Sequence, residues 1–187
     1  MISTKKSRQT RLSEIIENDP LTTDEELALK LHVSISTIRL DRALLGIPEL
    51  RERTKRRAQE AISRLRSLSL SEIVGDLLEL EPDKWALSTL KATRDMAFRN
   101  TKLIWDHYIF AQASSIAIAV IEADTVIVDS MRGEYKGHAH VGDTLIARAK
   151  VGVNKEGATI VSVRTRVADQ EIFVGRFITK VLSHNSQ

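Results

Sequence analysis

Residues 106 to 121, "DHYIFAQASSIAIAVI", place the strongest constraint on what this chain can become. Read as a helix, the stretch is apolar around most of its circumference and must be buried on nearly every side. A bilayer is not the answer, because its core calls for about 20 consecutive apolar residues and the longest run here is "IAIAVI" at 116 to 121. Six strand-like segments flank it: "IVGDLLEL", "KWALSTLKAT", "TVIVDSMRGEY", "DTLIARAKVGV", "ATIVSVRTRVA" and "EIFVGRFITKVL". Several alternate apolar with polar residues, and turn signals such as Glu81-Pro82-Asp83, Val141-Gly142-Asp143 and Asn154-Lys155-Glu156-Gly157 separate them. An antiparallel sheet wrapped around one buried helix is the simplest way to cover such a segment.

The front of the chain has another texture. Leu12, Ile15 and Ile16 stand at helical spacing and the pattern stops at Asn18-Asp19-Pro20, since proline disfavours helix in the residue before it. Thr22 and Thr23 each have a glutamate three residues on, Glu25 and Glu26, so either can form a capping box for a helix from about Asp24 to Leu31. Ser34 can cap a third helix. On it Ile35, Ile38 and Leu45 gather on one side while Ser36, Leu40 and Ala43 lie opposite, a small and uncharged outer face that is unusual for one meant only for water. Gly46 ends this helix and Pro48 can open the next. From Pro48 to about Leu70 neither Gly nor Pro interrupts a stripe of Leu50, Thr54, Ala58, Ala61, Leu65 and Leu68, ringed by Arg51, Arg53, Lys55, Arg56 and Arg57. The expectation is one long amphipathic helix over 48–71, between a domain over 1–47 and one over 72–187.

Charge follows this division. Residues 1 to 66 hold 14 Lys and Arg against 10 Asp and Glu, whereas the remainder holds 14 against 15. A basic front is compatible with nucleic acid, though it equally describes a solvated surface. The chain has no cysteine, which excludes disulfides, thiolate metal sites and cysteine nucleophiles. The first sixteen residues carry charge where a signal peptide needs an apolar core, so a soluble, cytoplasmic chain without membrane contact is expected.

Three short helices with a tight turn between the second and third make a helix-turn-helix, whose third helix enters the major groove by its N-terminal residues. Ser36, Thr37 and Leu40 are the candidates for base edges, hydroxyls for hydrogen bonds and the leucine for a thymine methyl. Ser34, Arg39, Lys5, Lys6 and Arg8 are suited by type to phosphates, and so is Arg56 on the basic side of the following helix. The competing roles are structural: Ser34 as a cap only, and Arg39 as the partner of a neighbouring acid.

The run "VSISTIRLDR" resembles the helix-turn-helix of the DeoR family of bacterial repressors, in which a V-S-x-x-T-I-R-x-D pattern begins the recognition helix. Taken with "ALLGIPELRER", then "IVGDLLELEP", then "FAQASS" before an apolar helix, nearly the whole chain resembles the FapR family of fatty acid and phospholipid regulators. The resemblance implies an α+β protein: an N-terminal helix-turn-helix, an amphipathic linker helix and a C-terminal hot-dog domain, the fold of acyl-CoA thioesterases and dehydratases. It also implies a homodimer that represses lipid-synthesis genes at a double-stranded operator. Malonyl-CoA or malonyl-acyl-carrier protein would be the releasing effector, with no cofactor. The linker's apolar stripe then has two alternative burials, and a ligand that prefers one shifts the balance by its differential affinity.

The same resemblance marks a departure. The family's pattern has Phe, then an Arg-Gly pair ahead of His, then Asn after Phe-Ala-Gln-Ala, the Arg neutralising the malonyl carboxylate. Here Phe98 and His107 are kept, Trp105-Asp106 replaces Arg-Gly, and Ser114 stands for Asn. A buried carboxylate without a cation beside Asp106 would cost several kcal/mol, of order the penalty for an unpaired buried ion. Three readings stay open: a malonyl thioester with Arg99 or Lys102 as substitute cation, an uncharged acyl-CoA recognised by Trp105, or a domain without ligand. Arg132, Lys136 and Arg166 are candidates by type for the pantetheine mouth.

Hot-dog folds also host thioesterases, so Asp106-His107 has to be weighed as an acid/base pair in a DNA-anchored enzyme. Asp106 equally sits where a helix N-cap belongs, adjacent helical residues point about 100° apart, and Glu134 has no identifiable partner. Neither metal-ligand spacing nor a Gly-rich phosphate loop occurs. A sensor without catalytic residues is the expected function and a fused thioesterase the alternative.

Overall fold

The computed structural model describes residues 5–19, 21–155 and 157–182, so the turn signals resting on Pro20 and Glu156 lie outside the described residues. The chain divides into two compact units, up to Arg57 and from Ala58 on.

The first unit contains α1 (Lys5–Asn18), α2 (Asp24–Leu31) and α3 (Ile35–Leu44). Leu12 and Ile16 of α1, Leu27 and Ala28 of α2 and Ile38 of α3 form its core; of the apolar positions singled out by helical spacing, Leu12, Ile16 and Ile38 are in it, while Ile15 and Ile35 pack against it partly buried. Thr23 closes the capping box: its Oγ1 accepts from the Glu26 amide at 3.2 Å, and its own amide donates to the Glu26 carboxylate at 2.9 Å. Thr22 is buried instead and donates to the Asp19 carbonyl at 2.9 Å. His32, at φ 53°, turns the chain out of α2 in the left-handed region. Leu45, expected on the inner side of the third helix, is 39 % exposed, because the helix closes at Leu44 and the chain swings away through Gly46 at φ 67°.

The fourth helix is shorter than its uninterrupted pattern implies. α4 spans Leu50–Arg64. The Leu65 amide bonds back only three residues, to Ile62 at 3.2 Å, and the chain then leaves the helix. Leu65 and Leu68 are drawn onto the core of the second unit, and Ser67 donates to the Ile118 carbonyl at 3.1 Å. A single 3-10 turn, Leu70–Glu72, follows, with Glu72 accepting from the Ser69 amide. Arg53, expected on the solvated basic side, is buried and donates to the carbonyls of Pro48 at 2.8 Å and Thr22 at 3.0 Å. That burial pulls its guanidinium below its ordinary pKa.

The second unit has the α+β architecture expected of a hot-dog domain. Its strands are β1 (Asp76–Glu81), β2 (Trp85–Lys91), β3 (Val126–Tyr135), β4 (Thr144–Lys155), β5 (Ala158–Val167) and β6 (Gln170–Val181). They form one antiparallel sheet in the order β1-β2-β4-β5-β6-β3. The apolar segment forms α5 (Asp106–Ala119), which lies against β2 to β6. Ile109, Ala113, Ile116 and Ala117 of the helix are fully buried, as are Ala86 of β2 and Ala147 and Ala149 of β4. These alanines let helix and sheet approach closely enough to exclude water. Near the far edge Gly133 and Gly175 stand opposite one another, and a Cβ on Gly175 would come within 3.0 Å of the Phe173 and Phe177 rings, so glycine is required there. Among the described residues no helix is long and apolar enough to cross a membrane.

Candidate functional site

In the first unit, two partly buried ion pairs hold α3 in place. Arg8 of α1 reaches Asp41 at 2.6 Å, and Gln9 adds a hydrogen bond at 2.9 Å. From its Nε and Nη2, Arg42 donates to both oxygens of Asp24, each at 2.8 Å. Charge-assisted and partly bidentate, these contacts fix the rotation of α3 about its axis. The Arg8 hydrogen bond is the main reason that the Asp41 carboxyl lies below the usual carboxylate range. At Asp24 burial, the largest single influence, works upward, yet the hydrogen bonds of Arg42 and the charges of Arg42, Arg39 and Arg53 together bring it below the usual value.

With that rotation set, α3 presents Ser36, Leu40 and Ala43 outward, as the spacing predicts. Leu40 is 60 % and Leu44 57 % exposed, one turn apart, so the outward apolar strip is longer than the sequence reading had it. Leu44 was legible there as the i+4 neighbour of Leu40. Ser34 caps the helix, its Oγ accepting from the Thr37 amide at 3.2 Å and lying 2.9 Å from Thr37 Oγ1. Thr37 is half-buried, which leaves Ser36 as the exposed hydroxyl on the outward face. Arg39 extends into solvent with 64 % of its side chain exposed and only a loose 3.5 Å approach to Asp24. Lys5, Lys6 and Arg56 are exposed. Arg8 departs from expectation: tied to Asp41 with its charge already matched, it is a positioning residue for α3 rather than a cation offered to phosphate.

In the second unit, the segment between β2 and α5 folds back on itself. The Arg94 guanidinium donates to the carbonyls of Thr101 and, at 3.0 Å, Arg99. The Trp105 amide donates to the Met96 carbonyl at 3.0 Å. This brings Phe98 flat against Trp105, with centroids 4.7 Å apart and planes 13° from parallel. His107 meets Trp105 edge-on at 5.2 Å and Tyr108 at 4.2 Å. Tyr135 of β3 donates its hydroxyl to the Asp106 carbonyl at 3.2 Å and packs on Phe173 at 5.1 Å. Burial first and the Asp106 charge second push the Tyr135 phenol upward, so it stays a donor. The start of α5 is thus an aromatic cluster in which Phe98 and Trp105 are 41 % and 43 % exposed. Tyr108 and Tyr135 belong to it; Tyr108 directly follows the "WDH" run, whereas Tyr135 lies 29 residues beyond Asp106 and nothing local in the sequence marks it.

Other expectations shift. Trp105, not Asp106, is the N-cap of α5 and makes no side-chain cap; Asp106 is the first helical residue, exposed beside the positive helix end. Arg99 and Lys102 are exposed on the folded segment. Ser114 lies half-buried two turns into α5, its side chain without a hydrogen bond among the described residues. Lys136 is held by Glu171 at 3.0 Å, and Arg132 and Arg166 sit on strands separated by β6, so the three do not converge on one mouth. No hydrogen bond joins Asp106 to His107 among the described residues, and no group of three metal-binding side chains occurs there.

A helix-turn-helix with a presented outer face, on one chain with a hot-dog unit, defines a class: transcriptional regulators built on a hot-dog fold. No protein-family model matches the chain. Curated relatives do. Transcription factor FapR of Thermoanaerobacter sp. is 42 % identical over 174 residues, covering 93 % of this chain and 87 % of that one. That of Geobacillus thermodenitrificans is 40 % identical over 179 residues, 95 % and 90 % of the two chains, and that of Bacillus velezensis 42 % identical over 180, 95 % and 96 %. The chain belongs to the FapR family of transcription factors. Its fold is also that of a sigma28-regulated virulence protein from Campylobacter jejuni, with a TM-score of 0.64 and 20 % identity over 69 % of this chain and 92 % of that one. A hypothetical thioesterase with coenzyme A from Streptococcus pneumoniae matches with a TM-score of 0.53 and 11 % identity over 63 % and 94 %.

Proposed function

We propose that this regulator is a homodimeric repressor of fatty acid and phospholipid synthesis genes that grips a double-stranded operator through α3 and lets go when an acyl thioester occupies the hot-dog unit. The observation that carries this reading is the joining, on one chain, of an outward α3 face with an aromatic cluster at the start of α5. Ser36 and Leu40 meet base edges, Thr37 shares its hydroxyl with Ser34 at the helix start, and Lys5, Lys6, Ser34, Arg39 and Arg56 hold phosphates. Two such units related by a two-fold axis want a partly palindromic operator with half-sites about 34 Å apart.

The effector proposed from the family resemblance is malonyl-CoA or malonyl-acyl-carrier protein, acting without a cofactor. Its carboxylate needs a cation, and Arg99 and Lys102 are the exposed cations on the segment that builds the cluster, Arg94 being engaged with carbonyls. A specific observation favours a second effector: Trp105 lies stacked on Phe98 with the Asp106 carboxylate next to it, a surround that suits an uncharged acyl group. The release assay separates the two. Malonyl-CoA acting where acetyl-CoA and longer acyl-CoAs do not, with loss in Lys102→Ala or Arg99→Ala, supports the carboxylate reader; the reverse order supports the neutral acyl. Trp105→Arg should then raise the malonyl preference.

Catalysis is not part of the proposal, since Asp106 and His107 diverge and His107 is engaged with neighbouring rings. Incubation with acyl-CoAs and a thiol reagent should show no turnover; hydrolysis abolished by Asp106→Asn would make the chain a DNA-anchored thioesterase instead.

A further inference from the structure

Besides Lys155 at the end of β4 and Lys180, which Asp129 holds at 2.9 Å, the sheet face turned away from α5 carries six exposed cations among the described residues of four neighbouring strands: Arg148 and Lys150 on β4, Arg164 and Arg166 on β5, Arg176 on β6 and Arg132 on β3. The register sets Arg148 directly opposite Arg164 and Arg176 directly opposite Arg132, while Lys150 shares a row with Ser162 and Arg176. Like charges directly opposite destabilise a sheet. Among the described residues these six cations have few partners on the sheet. Glu171 stands directly opposite Arg166 and accepts from Arg164 at 2.8 Å, but is shared with Lys136, and Arg148 lies over the Trp85 ring at 5.2 Å. Among the described residues Arg132, Lys150, Arg166 and Arg176 make no ion pair, and the acids Glu79 and Glu134 stand at the two margins, on β1 and β3.

A face arranged in this way is complementary to an extended polyanion. Strand geometry spaces its cations at about 4.8 Å across strands and about 6.8 Å along them, a repeating array rather than a pocket for one anion. Five of the six are arginines, whose planar forks match phosphate oxygens two at a time. The half-buried apolar residues of this face, such as Leu87, Ile146 and Val174, pair in register with these arginines and lie where long arginine stems can cover them. A transcription factor seated on an operator keeps the duplex flanking it at high effective concentration.

We propose that the outer face of the hot-dog sheet binds the phosphate backbone of duplex DNA without regard to sequence, adding to the grip of the helix-turn-helix. The face relies on the chain's handling DNA, not on the nature of the effector.

The test uses the full chain and the double variant Arg148→Glu, Arg176→Glu, each substitution converting a like-charge cross-strand pair into an opposite one. The variant should therefore unfold at the same or a higher temperature than the unmodified chain. Operator affinity is measured against salt on two duplexes, one ending at the operator and one with long flanks. On the long duplex the unmodified chain should show the steeper slope, and the variant should lose about 0.9 of slope for each phosphate contact removed, while the short duplex reads the same for both. Arg176→Lys, which keeps the charge, should keep the slope. Equal slopes on both lengths for the unmodified chain, or equal losses on both for the variant, would overturn the proposal. So would an unchanged DNA slope in a variant that loses co-sedimentation with phosphatidylserine vesicles. Absence of any selective operator binding by the unmodified chain would strike the repressor reading instead.

Discussion

The first unit depends on two carboxylates, one buried and one partly buried. Asp41 is 1 % exposed as a side chain and holds Arg8; Asp24, 16 % exposed, holds Arg42. Removing one partner of a buried pair strands the other charge, so Asp41→Asn should destabilise the first unit by about 3 kcal/mol, read as an earlier loss of helical circular dichroism in urea. An unchanged curve would mean that the pair does not hold α3. Both carboxylates are depressed in the folded state, so their contribution is complete above the unfolded value of about 3.9 and is lost as pH falls through the lower folded values. The first unit should therefore soften in acid below about pH 4 and be insensitive to these groups from pH 5 upward. Softening centred near pH 6 would point to histidine instead. Neither pair was legible in the sequence, because Arg8 and Asp41 lie 33 residues apart and nothing local distinguishes them from solvated charges. Arg53 was misread for the same reason: its partners are backbone carbonyls, which have no sequence signature.

At the scale of elements, the patterns that were legible are those in which local and tertiary preferences agree. α2 begins at a capping box and ends at Leu31, and each of the six strand-like segments forms a strand. α5 was legible because an all-round apolar helix has few places to go. Truncating its centre, Ile116→Ala, should cost 2–5 kcal/mol, about the range for emptying a close-packed site, measured as a fall in the denaturation midpoint of the second unit; a loss under about 1 kcal/mol would mean that the site collapses or is loosely packed. The end of α4 was not legible: no Gly or Pro stands near Arg64, and the helix stops because Leu65 and Leu68 gain more from the second unit's core than from another helical turn. The order of the strands, with β3 at the far edge beside β6, leaves no mark in any one segment. In the proposed switch, α4 is the element whose surroundings change. Limited trypsin digestion of the 50–70 segment should therefore differ with and without effector, and an identical cleavage pattern would leave α4 a passive spacer.

For the whole molecule, the proposed function couples an operator grip to an acyl-thioester sensor. Moving the chain from almost wholly bound to almost wholly released requires an effector preference of roughly 5.5 kcal/mol between the two states, whereas a partial response needs only a fraction of that. The most direct measurement is fluorescence anisotropy of the full chain on a duplex it has itself selected in vitro, at fixed salt, with malonyl-CoA, acetyl-CoA and a long-chain acyl-CoA added in turn. At least one thioester should weaken binding by about tenfold or more, a shift of about 1.4 kcal/mol, and should be recovered intact afterwards. Undiminished binding with every thioester, or hydrolysis of the one that acts, would show that the hot-dog unit is not the sensor.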